Sequence, residues 1–359
     1  MRPLRLVGEL AELVAVSRVA ARAHGGGVPW TARRARRLRS RQHYEYREAL
    51  TEGLLDPAVS EAECALHGSR YETVQIQRRL NPDAIAPLAG EKALFYAYCD
   101  AAGIRTPRHY GLIDPSGPGW SAGGRSVAGA GGFARFVEED LPDDWVIKPS
   151  AGHHGLGVRV MRRREGGLRD EAGRILRPAA LHAELAADPE FRLWVVQERL
   201  ENHPGLARLI QATTLQTLRI VTLIGRGGDV DVLYAVLRVA VAGGATDNFR
   251  GGLSGNGLAS VSLADGRLES VKLARRSGFG FVRTAALPSG VRIEGVPLPD
   301  WEQTLALVRR AAPAFLPART LGWDVALTPG GPVVVEANMF WWPRSGPEQA
   351  VLRERLLSA

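Results

Sequence analysis

DWVIKPSAGHHGLGVRVM, residues 144–161, is the stretch on which the reading of this chain turns. Trp145, Val146 and Ile147 form a short apolar run of strand character that ends in Lys148-Pro149, residues 150–157 form a loop with three glycines, and Val158–Met161 returns as a strand. Glycine lets a backbone approach a ligand closely and turn its N–H groups inward, and a lysine on the adjoining strand adds a point charge, so this hairpin suits a phosphate. Two common phosphate loops are excluded. No Gly-Lys-Ser/Thr follows the glycines, and no helix pattern follows at once, as a dinucleotide fold requires.

Working outward, 359 residues suffice for one large core or two to three smaller ones, and 45% hydrophobic with 23% charged residues is the balance of a folded globular protein. Cys64 and Cys99 are the only cysteines, too few for a disulfide framework or a four-cysteine zinc site, which points to a reducing cytoplasm. The first apolar segment, Leu4 to Ala23, is broken by Arg5, Glu9, Glu12, Arg18 and Arg22, so it reads as an amphipathic helix rather than a membrane span. A net charge of +8 favours an anionic ligand or surface. Among 46 basic residues only Lys92, Lys148 and Lys272 are lysine, and a chain that otherwise writes its cations as arginine keeps a compact ammonium where a planar guanidinium does not fit.

Residues 1 to about 85 read as a helical region, in which 31–41, TARRARRLRSR, is the densest basic run. That run reads as a solvated helix face or a contact with an acidic surface, membrane headgroups or a partner; without an aromatic stacking pattern it does not suggest nucleic acid. A small α/β lobe follows at 86–142, with a helix opened by Lys92 and closed by Gly103, a Gly/Ser/Pro-rich surface loop over 114–132, and a short helix over 133–140. The segment 143–204 holds the lysine strand, the glycine loop, a charged and turn-rich stretch over 162–177, and the strand LWVVQERL at 193–200, whose polar exit through Gln197, Glu198 and Leu200 suits an adenine edge read by backbone groups. The segment 205–345 carries the strands 217–224 and 230–241, with Arg219 and Arg238 among apolar neighbours, and a second glycine loop, TDNFRGGLSGNG at 246–257, with Asp247, Asn248 and Arg250. Its last hairpin runs through Trp323–Leu327 and Val333–Glu336, so Asp324 meets Glu336 and Asn338, which share a face two residues apart. Hard oxygen ligands without histidine or cysteine suit Mg²⁺. A helix over 346–359 ends the sequence.

In this order and spacing, the lysine strand with its glycine loop, ERLENHP at 198–204, TLRIVTL at 217–223, DNFRGGL at 247–253, GVPLPDW at 295–301 and LGWDVALTPGGPVVVEAN at 321–338 resemble the sugar-transfer-associated group of the ATP-grasp superfamily, from about Lys92 to Pro343. The resemblance implies an α+β fold in which two lobes with antiparallel sheets clamp ATP behind a helical N-terminal region. It implies that Lys148 touches the α-phosphate and adenine, that Lys92 adds a phosphate contact, and that the loop with Ser150, Gly152, Gly155 and Gly157 closes over the β- and γ-phosphates. By the same resemblance Glu198 and Leu200, beside Gln197, would hold adenine; Arg219, Arg250 and Asn248 would face the triphosphate or reaction centre; and Asp324, Glu336 and Asn338 would hold Mg²⁺, with Mn²⁺ as the alternative. Two positions depart from the family pattern: His153-His154 in the first loop, and Phe340-Trp341-Trp342 after Asn338, both of which bear on the acceptor pocket.

The function expected from this is an ATP- and Mg²⁺-dependent ligase that activates a carboxylate as an acyl phosphate for an amine or similar nucleophile, in surface-polysaccharide or secondary metabolism. A kinase moving the γ-phosphoryl to a sugar or other hydroxyl is the alternative. A nucleotide-binding protein without turnover is a third reading, against which the three metal-type residues argue. The expected partners are small molecules, with no nucleic acid and no transmembrane segment.

Overall fold

The structure, a computed structural model, describes residues 2–152, 155–241, 246–276, 279–342 and 348–359. Five helices open the chain: α1 (Arg2–His24), α2 (Val28–Gln42), α3 (Tyr46–Thr51), α4 (Glu61–Leu66) and α5 (Arg70–Leu80). Ser60 and Ser69 start α4 and α5 by accepting the N–H of Glu63 and Glu72, donors that a helix start otherwise leaves unpaired. Leu13, Val16, Tyr44, Leu50 and Leu54 give these helices a core of their own, against which Phe279 packs from far along the chain. Arg34 is tolerated inside it because the carbonyls of Leu54 and Val59 each accept from its guanidinium at 2.6 Å.

After α6 (Ala86–Gly90) and α7 (Lys92–Ala101) come β1 (His109–Ile113), β2 (Pro118–Ser121), β3 (Ser126–Ala128), α8 (Gly129–Glu139), β4 (Asp144–Pro149), β5 (Arg159–Arg164), β6 (Gly167–Arg169), β7 (Ile175–Leu176), α9 (Pro178–Ala186) and β8 (Trp194–Glu198). The strands form one antiparallel sheet in the order β3-β2-β1-β8-β4-β5-β6-β7. Trp145, Ile147, Trp194 and Val196 fill its core together with Phe133 and Phe136 of α8. Residues 114–132, expected as a surface loop, contain the β2–β3 hairpin and the start of α8. Ser121 and Val127 are buried there, and a composition rich in Gly, Ser and Pro serves a short edge hairpin as well as it serves an open loop. The charged stretch 162–177 likewise supplies the end of β5 and the edge strands β6 and β7. Segments 86–142 and 143–204, distinct in the sequence reading, share this sheet, since β1 pairs with β8 and β8 with β4.

Next, α10 (Pro204–Ile210) leads to β9 (Thr217–Ile224), β10 (Val230–Val239), β11 (Gly257–Val261), β12 (Leu268–Ala274), β13 (Phe281–Thr284), α11 (Trp301–Ala314), β14 (Thr320–Thr328), β15 (Gly331–Asn338) and α12 (Glu348–Ser358). These strands form a second antiparallel sheet, ordered β13-β12-β11-β10-β9-β14-β15 and covered on both faces. By the two-residue period, Leu218 and Ile220 of β9 enter the largest core with Phe95 of α7 and Val308 of α11, while Val221 and Leu223 pack with Ile76 and Leu80 of α5 and Leu352 of α12. Each such side chain taken from water contributes about 1.5–3 kcal/mol. Among the described residues no helix is long and apolar enough to cross a membrane.

Candidate active site

Lys148 sits near the end of β4, opposite Val195 of β8, while Val146 two residues earlier is opposite Gln197. Because partners across a sheet share a face, Lys148, Val146, Val195 and Gln197 line one side of the first sheet, and β1 adds His109 directly opposite Gln197. The Lys148 ammonium is buried and donates to the Tyr96 hydroxyl at 2.7 Å; that hydroxyl donates to the Val335 carbonyl of β15 at 2.9 Å. One chain of hydrogen bonds therefore joins the lysine strand to the residue beside Glu336. Burial, and then the charge of Lys92, pull the Lys148 ammonium well below the usual lysine range, with Glu336 opposing them. Burial also lowers Lys92, against Glu336 and Glu91.

The glycine loop is tied to the start of α7. Ser150 Oγ accepts the Ala93 N–H at 3.2 Å and donates to Glu91 Oε2 at 2.9 Å, and the Lys92 N–H donates to the Ser150 carbonyl at 3.0 Å. The Lys92 ammonium reaches the Gly152 carbonyl at 3.0 Å. Further on, Gly155 holds φ +72° against Thr246, where a Cβ would fall 2.4 Å from Thr246 Cγ2, so only glycine allows the first loop to lie against the second. Gly157, at φ +71°, packs on Pro149, where a Cβ would fall 2.7 Å from Cγ.

Arg219, Arg238, Asp324, Glu336 and Asn338 share one face of the second sheet, because Arg219 lies opposite Asp324 and Val236, Asp324 opposite Glu336, and Gly322 opposite Asn338. Asp324 is almost fully buried; its Oδ1 accepts Arg219 Nε at 2.5 Å, and its Oδ2 accepts Arg219 Nη2 at 3.1 Å and Arg238 Nη1 at 2.9 Å. Burial alone would raise this carboxyl, but the two guanidiniums outweigh it and hold Asp324 well below the usual carboxylate range. Glu336 goes the other way: burial, then the charge of Asp324, raise it. Asp247 anchors the second loop by accepting both the N–H and the hydroxyl of Thr217 at 2.6 Å.

The donor sets on the two sheets limit what these groups can hold. Asp324 and Glu336 are hard oxygen donors directly opposite each other on β14 and β15, and the Asn338 amide donates to the Gly322 carbonyl at 3.3 Å, leaving its oxygen uncommitted among the described residues. A divalent cation fits between these carboxyls, since it removes the repulsion that raises Glu336. On the first sheet, Gln197 Oε1 and His109 Nε2 are buried without a hydrogen-bond partner among the described residues, and the His109 ring lies 6.3 Å from that of Tyr96. Adjacent unpaired polar atoms beside Lys148 suit a polar ring such as a nucleobase.

The structure thus brings Lys92, Lys148, Ser150 and Gly152 together, and Arg219, Asp324, Glu336 and Asn338 together, with Tyr96 as the link. Glu198 ends β8, its N–H donating to the Arg108 carbonyl at 2.8 Å, and Leu200 follows it half-buried. Arg250 lies exposed at φ +47° on a 3₁₀ turn, and Asn248, half-buried beside it, has its carbonyl held by Asn256 at 3.2 Å. Neither joins the Asp324 group in the hydrogen bonds just described. His153 and His154 lie outside the described residues. Of the aromatic triplet, Trp341 is core: it donates to Thr320 Oγ1 at 3.1 Å, and Gln77 of α5 donates to its carbonyl at 2.9 Å, so its bulk wedges α5 against the hairpin. Sequence reasoning did not assign Tyr96 or His109, whose positions carry no motif; Arg238 was visible as a second charge among apolar strand residues.

A model of the family described as sugar-transfer associated ATP-grasp matches residues 71–358. Among solved structures, N5-carboxyaminoimidazole synthase from Aspergillus clavatus, in complex with ADP and 5-aminoimidazole ribonucleotide, is 11% identical, covering 81% of this chain and 58% of that one at a TM-score of 0.41. D-alanine–D-alanine ligase from Helicobacter pylori is 12% identical over 75% of this chain and 60% of that one, TM-score 0.41. L-amino acid ligase from Bacillus licheniformis is 12% identical over 71% and 41%, TM-score 0.36. The chain therefore spans less than two thirds of each of these structures. No curated protein matches it.

Proposed function

The chain belongs to the sugar-transfer associated ATP-grasp family, and from that premise we propose that it is an ATP-dependent ligase that activates a carboxylate as an acyl phosphate for attack by an amine or similar nucleophile. The observation that carries this reading is the meeting, through the Tyr96 hydroxyl, of a lysine strand and glycine loop on one sheet with an acid-and-amide hairpin on the other. Lys148, buried, and Lys92, half-buried, are poised for phosphate oxygens, since an anion restores the charge that burial disfavours. Gln197 and His109 face the base, with the backbone at Glu198 and Leu200. Glu336 and Asn338, with Asp324, would hold Mg²⁺ or Mn²⁺, which when bound supplies Lewis-acid polarisation of the phosphoryl oxygens. Arg219 and Arg238 hold Asp324 ionised and in place, and Arg250 and Asn248 on the second loop are the groups proposed to face the reacting carboxylate.

In the balanced step, a carboxylate oxygen of the substrate forms a bond to the γ-phosphorus as the bond to ADP breaks. The amine nitrogen then bonds to the acyl carbon, phosphate leaves, and the nitrogen gives up a proton. Catalysis of this kind rests on positioning and charge rather than on a covalent protein nucleophile. Hydroxylamine added to protein, ATP, Mg²⁺ and a pool of carboxylic acids is expected to yield a hydroxamate with ADP and phosphate. A phosphorylated hydroxyl compound formed without phosphate release would overturn the ligase reading in favour of a kinase.

A further inference from the structure

Residues 13–44 contain eight arginines and no aspartate or glutamate, so the chain's entire formal excess of +8 lies in this one stretch and the remainder is balanced. The stretch is a helical hairpin, the last part of α1, an exposed turn over Gly25–Gly27, and α2, whose first residues Val28 to Trp30 are exposed as well. The acids nearest in sequence on α1, Glu9 and Glu12, are taken by Arg39 and Arg47 away from the turn. Arg34 is spent inside the helical core and Arg37 on Glu61. Arg18, Arg22, Arg33, Arg36 and Arg41 remain exposed, and no acidic group among the described residues pairs with them.

Apolar side chains stand exposed among these cations. Val28 is 37% and Trp30 36% exposed at the turn, and Val19 is 38% exposed one turn before Arg22 on α1. On α2 the exposed positions Trp30, Arg33, Arg36 and Ser40 recur at the helical spacing, so the tryptophan heads an arginine stripe. Nothing in the site above uses this hairpin.

We propose that the α1–α2 hairpin docks on an anionic lipid bilayer, with the arginines on the headgroups and Val28 and Trp30 at the acyl boundary. An apolar tip among arginines has the composition of interfacial helices, and tryptophan favours the headgroup level. A second copy of this chain is disfavoured by repulsion between the same concentrated charges. Single-stranded nucleic acid would call for a row of stacking aromatics, and this surface has one. The N-terminal helices are also fastened to the second sheet beside the second glycine loop: Arg275, just past β12, pairs with Asp56 at 2.8 Å, and the Gly280 N–H donates to the Thr51 carbonyl at 3.0 Å. Docking the hairpin would hold the candidate site at the membrane surface, and the inference does not depend on the ligase reading.

Co-sedimentation of the full chain with phosphatidylglycerol/phosphatidylcholine vesicles and with pure phosphatidylcholine vesicles tests it. The expected result is partitioning at least about tenfold stronger onto the anionic vesicles, lost at high salt. Arg33→Glu/Arg36→Glu and, separately, Trp30→Ser should each reduce it while circular dichroism and ADP binding stay as in the parent. Equal partitioning onto both vesicles, no partitioning, insensitivity to both variants, or a single-stranded RNA that binds the hairpin and displaces it from vesicles would overturn the proposal.

Discussion

Binding of metal-free ADP is expected to draw a proton from solution, through Lys148. Its ammonium is pulled down to about 7 by burial and by Lys92, so at pH 8 only about a tenth of the molecules carry that charge, and at pH 6 about nine tenths do. A phosphate at hydrogen-bond distance restores the charged form, so uptake should approach about 0.9 proton per ADP at pH 8, where the phosphate itself is fully ionised. By linkage the affinity should weaken as pH rises above 7, by up to about tenfold per unit until the bound form itself begins to titrate. Titration calorimetry in buffers of different ionisation enthalpy reads the proton count directly. Metal must be absent, because a cation bound beside Glu336 changes the proton balance of the site on its own. Lys148→Met should bind more weakly and abolish most of the uptake. Uptake that is absent at pH 8, or undiminished in Lys148→Met, would refute the assignment of Lys148 to the phosphates.

Asp324→Ala strands two largely buried guanidiniums and should cost about 3 kcal/mol in denaturant unfolding; a variant as stable as the parent would refute the clasp. Glu336→Gln resembles the protonated acid that burial already favours, so unfolding should be nearly unchanged while the Mg²⁺ concentration for half-maximal turnover rises at least about tenfold; equal Mg²⁺ dependence would make the hairpin structural. Gly155→Val should lower turnover with little change in melting, because the strain at φ +72° falls between two loops rather than in a core, and an active variant would mean that the loops need not touch. Trp341→Ala should destabilise by about 3–5 kcal/mol through the cavity left between α5 and the hairpin, checked by denaturant titration.

Much of the fold was legible because its signals are local. Apolar runs over 217–224 and 230–241, the Thr328–Pro332 turn, and the two-residue spacing of Glu336 and Asn338 point to strands, their hairpins and which residues share a face, so a meeting of Asp324 with Glu336 across the last hairpin could be read before any tertiary contact was known. The 114–132 tract misread as loop marks the boundary of that method: turn residues are common to open loops and to short edge hairpins, and only pairing with β1 distinguishes them.

What the sequence by itself determined, then, was the set of strands, the lysine strand with its glycine loop, and the acid-and-amide hairpin; each is specified by neighbours within a few residues. Only the tertiary structure decided that Lys148 meets Tyr96, 52 positions away, that Arg219 and Arg238 clasp Asp324 across 105 and 86 positions, and that His109 stands beside Gln197. Those partners are chosen by strand order and by what burial demands of a charge. A lysine or aspartate taken out of water must find an opposite charge or a hydrogen-bonding group, and which one it finds depends on strands brought together from distant parts of the chain.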